Sequence, residues 1–201
     1  MKKIKVLFIN SCVRGKEKSR TYKIAEKFLE SYKEKNPEHI IDEVEIMKLG
    51  IMPIIGTSYE KREKLINKKE FFNEEFELAN KFAAADKIVI AAPFWDLSFP
   101  SILKIYIEHI SVAGITFEYG EKGIRGLCKA KSIIYITSCG GDFSTPFMEK
   151  FEQATPYLKY LSEMFGIREF YAIKAYGLDM GDYKEILDKK ILEAEKIAKI
   201  F

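Results

Sequence analysis

Three short stretches concentrate the side chains able to do chemistry. The first, Ser11 to Thr21, carries hydroxyls and cations: Ser11, Arg14, Lys16, Lys18, Ser19, Arg20 and Thr21, with Gly15 among them. It stands just ahead of an amphipathic segment. Free N–H groups at a helix N-terminus attract an anion, and hydroxyls at Ser19 and Thr21 add donors; the plainer use is a serine N-cap on a solvated turn. The second stretch, Pro93-Phe94-Trp95-Asp96-Leu97-Ser98-Phe99, holds two adjacent aromatics, one of them the chain's single tryptophan, beside a carboxylate. Such a loop suits a flat, partly polar ligand, with backbone amides of Trp95, Asp96 and Leu97 offered to its heteroatoms. The commoner fate of such aromatics is to cap a core. The third, Ser138-Cys139-Gly140-Gly141-Asp142-Phe143, pairs two glycines where a backbone must approach something closely, or forms a plain flexible turn.

Covalent and nucleotide motifs are weak by comparison. Cys139 needs a base to act as a nucleophile, and neither His39 nor His109 is linked to it by a motif. Cys12 follows an apolar run, as in small tyrosine phosphatases with a C-x5-R loop. Here, however, the sixth residue beyond it is Lys18, the arginine is Arg20, and Asp179 precedes Met180 rather than a proline general-acid pair. Gly15 is the only glycine of its loop, so the dinucleotide fingerprint G-x-G-x-x-G is absent.

The elements that would position these loops read as alternating strands and helices. Lys5–Asn10 is a first strand. A helix follows from about Ser19, with Ala25, Phe28, Leu29 and Tyr32 on one face, and Asn36-Pro37 ends it. Ile40 to Leu49 reads as a second strand whose charges suggest a sheet edge, and Gly50 to Lys69 as a long irregular excursion. Phe72, Phe76, Ala79 and Ala83 mark a second helix, leading into the buried run Ile88 to Ala92. Beyond Pro100, Ile102, Leu103, Tyr106 and Ile110 share a helix face. Ile115 to Tyr119 alternates like a hairpin arm amid glycines, and Ser132–Ser138 is a further buried strand. A helix from about Pro156 to Phe165 with Gly166 as its C′ residue, a strand Phe170–Tyr176 and a closing helix bearing Leu187, Ile191, Ala194, Ala198 and Phe201 complete the chain. Five strands alternating with helices predict an α/β fold with a doubly wound parallel sheet. The three loops then follow the first, third and fourth strands, near the topological switch point where such sheets bind ligands.

Composition agrees. The 201 residues suit one domain spanning 1–201, with 47% hydrophobic and 31% charged residues of interspersed sign and no internal repeat. A net charge of +3 without a long basic run argues against a nucleic-acid partner. No apolar run is long enough to span a membrane. Met1-Lys2-Lys3 is basic but leads into a short strand rather than a signal sequence. Three cysteines without metal spacing (Cys12, Cys128, Cys139) fit a reducing cytoplasm.

Taken together, Ala91-Ala92-Pro93-Phe94-Trp95-Asp96, Leu103-Lys104, Ala113 to Tyr119, Gly126-Leu127 and Ile136-Thr137-Ser138-Cys139-Gly140-Gly141 resemble the FMN-dependent NADH:quinone oxidoreductases and azoreductases, whose fold is flavodoxin-like. The resemblance implies a five-stranded sheet of order 2-1-3-4-5 and FMN as cofactor. It also implies NADH or NADPH as electron donor, a quinone, azo compound or other flat electrophile as acceptor, and a homodimer with the flavin near the subunit interface. By the same resemblance Ser11, Ser19, Arg20 and Thr21 hold the FMN phosphate. Pro93, Phe94, Trp95, Asp96 and Leu97 run along the isoalloxazine ring, and Ser138, Cys139, Gly140, Gly141 and Phe143 close its other edge. No side chain acts as a nucleophile. The family commonly has asparagine where this chain has Asp96, and a large or basic residue where it has Cys139. The competing expectation is a flavodoxin-type electron carrier, against which stand the slightly basic charge and the lack of a Thr/Ser-x-Thr-Gly-x-Thr loop. An iron–sulfur flavoprotein would need four thiolates, and three cysteines cannot supply them.

Overall fold

A computed structural model describes residues 3–121 and 123–201. Met1 and Lys2 of the basic N-terminus lie outside the described residues.

The chain begins with strand β1 (Lys5–Asn10), helix α1 (Arg20–Lys35) and strand β2 (Ile40–Glu45). Then come α2 (Thr57–Asn67), α3 (Glu77–Ala84), β3 (Lys87–Ala91) and α4 (Ser101–Ile110). A two-stranded antiparallel hairpin, β4 (Phe117–Gly120) and β5 (Gly123–Gly126), precedes β6 (Ser132–Ser138). The one-turn helix α5 (Pro146–Glu149), α6 (Ala154–Met164), β7 (Glu169–Ala175) and α7 (Tyr183–Ala198) complete it. The main sheet is parallel in the order β2-β1-β3-β6-β7, which is 2-1-3-4-5 once the hairpin is set aside. Alternation along the central strands builds two cores. Leu7, Ile9, Ile88, Ile90, Ile133 and Tyr135 pack with Phe82, Leu103, Leu158 and Phe165 on one face. Val6, Phe8, Val89, Ile134 and Ile136 pack with Ile24, Phe28, Leu187 and Ala194 on the other. Burial on both sides explains the uninterrupted apolar runs.

Several boundaries differ from the sequence expectation, each for a local reason. β2 stops at Glu45 rather than Leu49 because its partner β1 ends at Asn10, the residue paired with Glu45; Ile46–Lys48 turns as a 3-10 helix. The excursion Gly50 to Lys69 is not irregular throughout, since it contains α2. That helix has a weak apolar face, Leu65 and Ile66 being only partly buried against Phe76, Ala79, Val112 and Ile115. Its one buried residue is Arg62, whose guanidinium donates to the carbonyls of Glu108 (3.0 Å), His109 (3.2 Å) and Ser111 (3.2 Å) at the end of α4. Phe72, expected on a helix face, is 98% exposed. Asn73 starts a 3-10 turn by accepting from Glu75 N–H, and the α-helix proper begins at Glu77. α6 starts at Ala154, before Pro156, where the buried Glu152 carboxylate accepts from Thr155 N–H at 2.9 Å. Its far end is as expected: Gly166, at φ 83°, is C′, with Gly166 N–H bonded to Glu163 O and Ile167 N–H to Ser162 O, a Schellman motif. Helix α5, capped by Thr145, went unanticipated.

Candidate functional site

A cleft opens at the carboxyl ends of β1, β3 and β6, where the switch-point rule places ligands. One wall is the start of α1. Ser19 is its N-cap, its Oγ accepting from Tyr22 N–H at 3.1 Å. The N–H groups of Arg20 and Thr21 have no hydrogen-bond partner among the described residues, so they remain available to an anion. Thr21 Oγ1 and Ser138 Oγ lie 2.7 Å apart and join this helix to the end of β6. Three cations, Arg14, Lys18 and Arg20, line the same wall. Lys16, in the same loop, points elsewhere: Glu43 of β2 holds it at 2.7 Å, and that contact raises its pKa.

Pro93, Phe94 and Trp95 form the second wall. Phe94 N–H donates to Ser138 O at 3.1 Å, drawing this loop against β6. The Phe94 ring is buried and packs on Phe143 at a centroid distance of 4.5 Å, whereas Trp95 is 48% exposed. Phe94 thus caps the core and faces the cleft at once. Beyond it, Trp95 N–H donates to Ser98 O (3.0 Å) and Ser98 N–H to Trp95 O (2.7 Å), closing a two-residue reversal. Asp96 and Leu97 at its tip have φ of 46° and 65°. Positive φ at both central residues is the type I′ pattern, in which Asn-Gly is usual and a leucine is strained. This corrects one expectation. The Trp95 amide is consumed by the turn, leaving those of Asp96 and Leu97 without a partner among the described residues.

Cys139 and Gly140 form the third wall. The Gly140 pocket is filled by Asp179, whose Oδ2 would lie 1.9 Å from a Cβ there. At Gly140 the close approach is therefore to a carboxylate of this same chain, while the space at Gly141 meets the Phe143 ring. Asp179 Oδ1 in turn lies 2.5 Å from Arg20 Nη1, and Arg20, then Arg14, hold its pKa below the ordinary range.

Of the residues singled out from sequence, Ser19, Arg20, Thr21, Pro93, Phe94, Trp95, Ser138, Cys139 and Gly140 meet in this cleft. Ser11 does not line it: it is fully buried, its Oγ without a partner among the described residues. Asp96, Leu97, Gly141 and Phe143 flank the cleft without lining it. Arg14 and Lys18 line it and were not in the expected set, although their place in a basic loop before a helix was the available signal. Nothing local marks Asp179. The thiols are poor nucleophiles: burial pushes the Cys12 pKa to about 11 and raises that of Cys139. His39 and His109 are committed elsewhere, to Tyr32 OH (2.7 Å) and Met52 O (2.9 Å). Among the described residues no cluster of acids, histidines and cysteines could hold a metal ion, and no helix is long and apolar enough to cross a membrane.

Comparison with known proteins points the same way. The flavodoxin-like fold family matches residues 4–198. The FMN-dependent NADH:quinone oxidoreductase 2 of Clostridium acetobutylicum is 40% identical, over 98% of this chain and 99% of that protein. The FMN-dependent NADH:quinone oxidoreductase of Caldicellulosiruptor saccharolyticus is 37% identical with the same coverage. An azoreductase structure from Bacillus anthracis superposes with a TM-score of 0.88 at 28% identity, covering 98% of this chain and all of that one. An FMN-dependent NADH-azoreductase from the same organism, in complex with FMN, gives 0.87 at 26% identity over 97% of each chain. A parallel sheet of order 2-1-3-4-5, an anion-ready helix start facing an aromatic wall, and full-length identity of this order establish that the chain belongs to the flavodoxin-like family that includes the FMN-dependent NADH:quinone oxidoreductases.

Proposed function

We propose that this chain is an FMN-dependent NAD(P)H oxidoreductase that reduces quinones and azo compounds. The observation that carries the reading is the joining, in one cleft, of a cationic helix start at Arg14 to Thr21 with an aromatic wall at Phe94 and Trp95. The residues present fit a flavin mononucleotide. Three cations and two open first-turn N–H groups suit a phosphate, the buried Ser11 Oγ lacks a partner among the described residues, and a half-exposed indole suits a planar ring.

Bound FMN would supply two-electron hydride chemistry between a reduced nicotinamide and the acceptor, and the protein would bind, orient and tune it. Arg14, Lys18 and Arg20 offset phosphate charge, and the N–H groups of Arg20 and Thr21 direct it. The free amides of Asp96 and Leu97 supply donors that cost no reorganisation, being held by the turn. Trp95 supplies a stacking face. A carboxylate at position 96 would accept but not donate, unlike an asparagine, and a negative charge set close to the ring would disfavour the reduced flavin. No protein nucleophile is required, which agrees with the raised thiol pKa values.

Further parts of the reading are a single domain over residues 1–201, a cytoplasmic setting and a homodimer. The free cysteines support the cytoplasm. The exposed apolar side chains Met47, Met52, Ile55 and Tyr59, and the exposed Trp95 and Leu97 of the aromatic loop, support a subunit contact. Purified protein should be yellow or change the spectrum of added FMN, and should oxidise NADH steadily with menadione or an azo dye. Parallel double-reciprocal lines would show that donor and acceptor use the cleft in turn. A protein indifferent to FMN would overturn the proposal, and flavin binding without turnover would favour an electron carrier. Replacing Asp96 by asparagine should raise the flavin midpoint potential, read by dye equilibration.

A further inference from the structure

The loop after β7 is stitched to the loop after β6 by three backbone hydrogen bonds. Gly177 N–H donates to Gly141 O (2.8 Å), Leu178 N–H to Cys139 O (3.2 Å) and Asp179 N–H to Gly140 O (3.0 Å). This seating sets the Asp179 carboxylate on Gly140, the one residue type without a Cβ to exclude it. From there it reaches across to Arg20, at 2.5 Å. Yet Arg20 stands at the N-terminus of α1, where a cation opposes the helix dipole, and beside Arg14 and Lys18 in the cleft. The helix start itself does not call for a guanidinium there; an incoming anion does.

We infer that Asp179 is a built-in competitor for the ligand's phosphate: it occupies Arg20 in the resting cleft, and so sets how strongly the site distinguishes a phosphorylated ligand from an unphosphorylated one. The inference rests on the flavin reading above. Two effects of the carboxylate oppose each other, because an anchor for Arg20 helps binding while a negative charge beside a dianion hinders it. The anchoring effect is the smaller. Asp179 is largely exposed, and exposed ion pairs hold side chains weakly. Arg20 is also held independently by the Tyr183 ring, 5.9 Å from its guanidinium carbon. Repulsion is left as the larger effect, and the guanidinium's donor fork cannot serve two anions without bringing them together.

The test compares wild type with Asp179→Asn, which keeps the shape seated on Gly140 and removes the charge. Equilibrium titrations use FMN, riboflavin and inorganic phosphate as probes. The substitution should tighten FMN and phosphate by about two- to fivefold, the range of exposed charge pairs, and leave riboflavin unchanged. In an Arg20→Gln background the same substitution should change FMN affinity much less. Weaker FMN binding, or an unchanged FMN-to-riboflavin ratio, would overturn the inference. If wild type binds neither flavin, the flavin reading fails by itself, and the phosphate titration decides: tightening retains Asp179 as a competing anion, and no tightening or no binding discards it.

Discussion

Arg62, packed on the carboxyl end of α4, and Arg20, at the amino end of α1, are the same side chain at opposite helix poles, and their surroundings assign them opposite tasks. Arg62 lies at the carboxyl end of α4, 6% exposed, over the Phe76 ring and bonded to three fixed carbonyls. The helix supplies the negative pole and the free acceptors, so the cation completes the fold. Burial lowers its pKa without threatening its charge. Arg20 lies at the amino end of α1, facing the cleft, its partner a largely exposed carboxylate from a different loop. There the helix pole is positive, so the guanidinium gives the helix nothing. A cation that satisfies the backbone belongs to the structure, and one that opposes it belongs to a ligand.

The largest effect expected from this contrast is on stability. Arg62→Ala removes the donor for three carbonyls and the anchor of α2, and should cost about 3 kcal/mol in urea unfolding; FMN affinity of the folded protein should stay the same. A cost near zero would place Arg62 with surface arginines and dissolve the contrast. Arg20→Gln should do the reverse, weakening FMN about tenfold by titration while lowering the unfolding midpoint by no more than an exposed ion pair contributes and leaving riboflavin binding intact. A stability loss as large as that of Arg62→Ala would show that Arg20 serves the fold after all. Leu97→Gly tests the strained turn. Relief of left-handed geometry should stabilise the protein by about 1 kcal/mol in the same denaturation experiment. No gain would mean that the turn's surroundings already compensate the leucine.

The smallest effect concerns pH. Asp179 has its pKa depressed by Arg20, so it titrates below an ordinary aspartate. A depressed carboxyl contributes stability that is present above the unfolded pKa and is lost as pH falls through the folded value, here below about 4. Unfolding midpoints of wild type and Asp179→Asn should therefore converge slightly between about pH 5 and pH 2. Parallel curves would show that the pair adds nothing to the fold in solution.

Much of this was legible in the residues themselves. Lys5–Asn10 and Ser132–Ser138 read as strands with the bounds they have, because a doubly covered strand is apolar on both faces. Ser19 announced the start of α1 as a side-chain cap. Helix α2 stayed hidden because its one buried side chain is the charged Arg62, which leaves only the partly buried Leu65 and Ile66 on the inner face, too few to show an apolar period. The reversal at Trp95–Ser98 was also hidden, since Asp-Leu is not a turn dipeptide. Asp179 could not be seen at all: its partner is 159 residues away, and only the stitching of two loops brings them together.

The Asp-Leu reversal bears on how this cleft can change over generations. Its two unclaimed donors are main-chain atoms, so a substitution at position 96 or 97 replaces what stands around them without deleting either, proline excepted. Side chains at the rim are then free to drift toward other acceptor shapes while the donor pair persists. Inherited recognition and room for novelty are carried by different atoms of the same two residues.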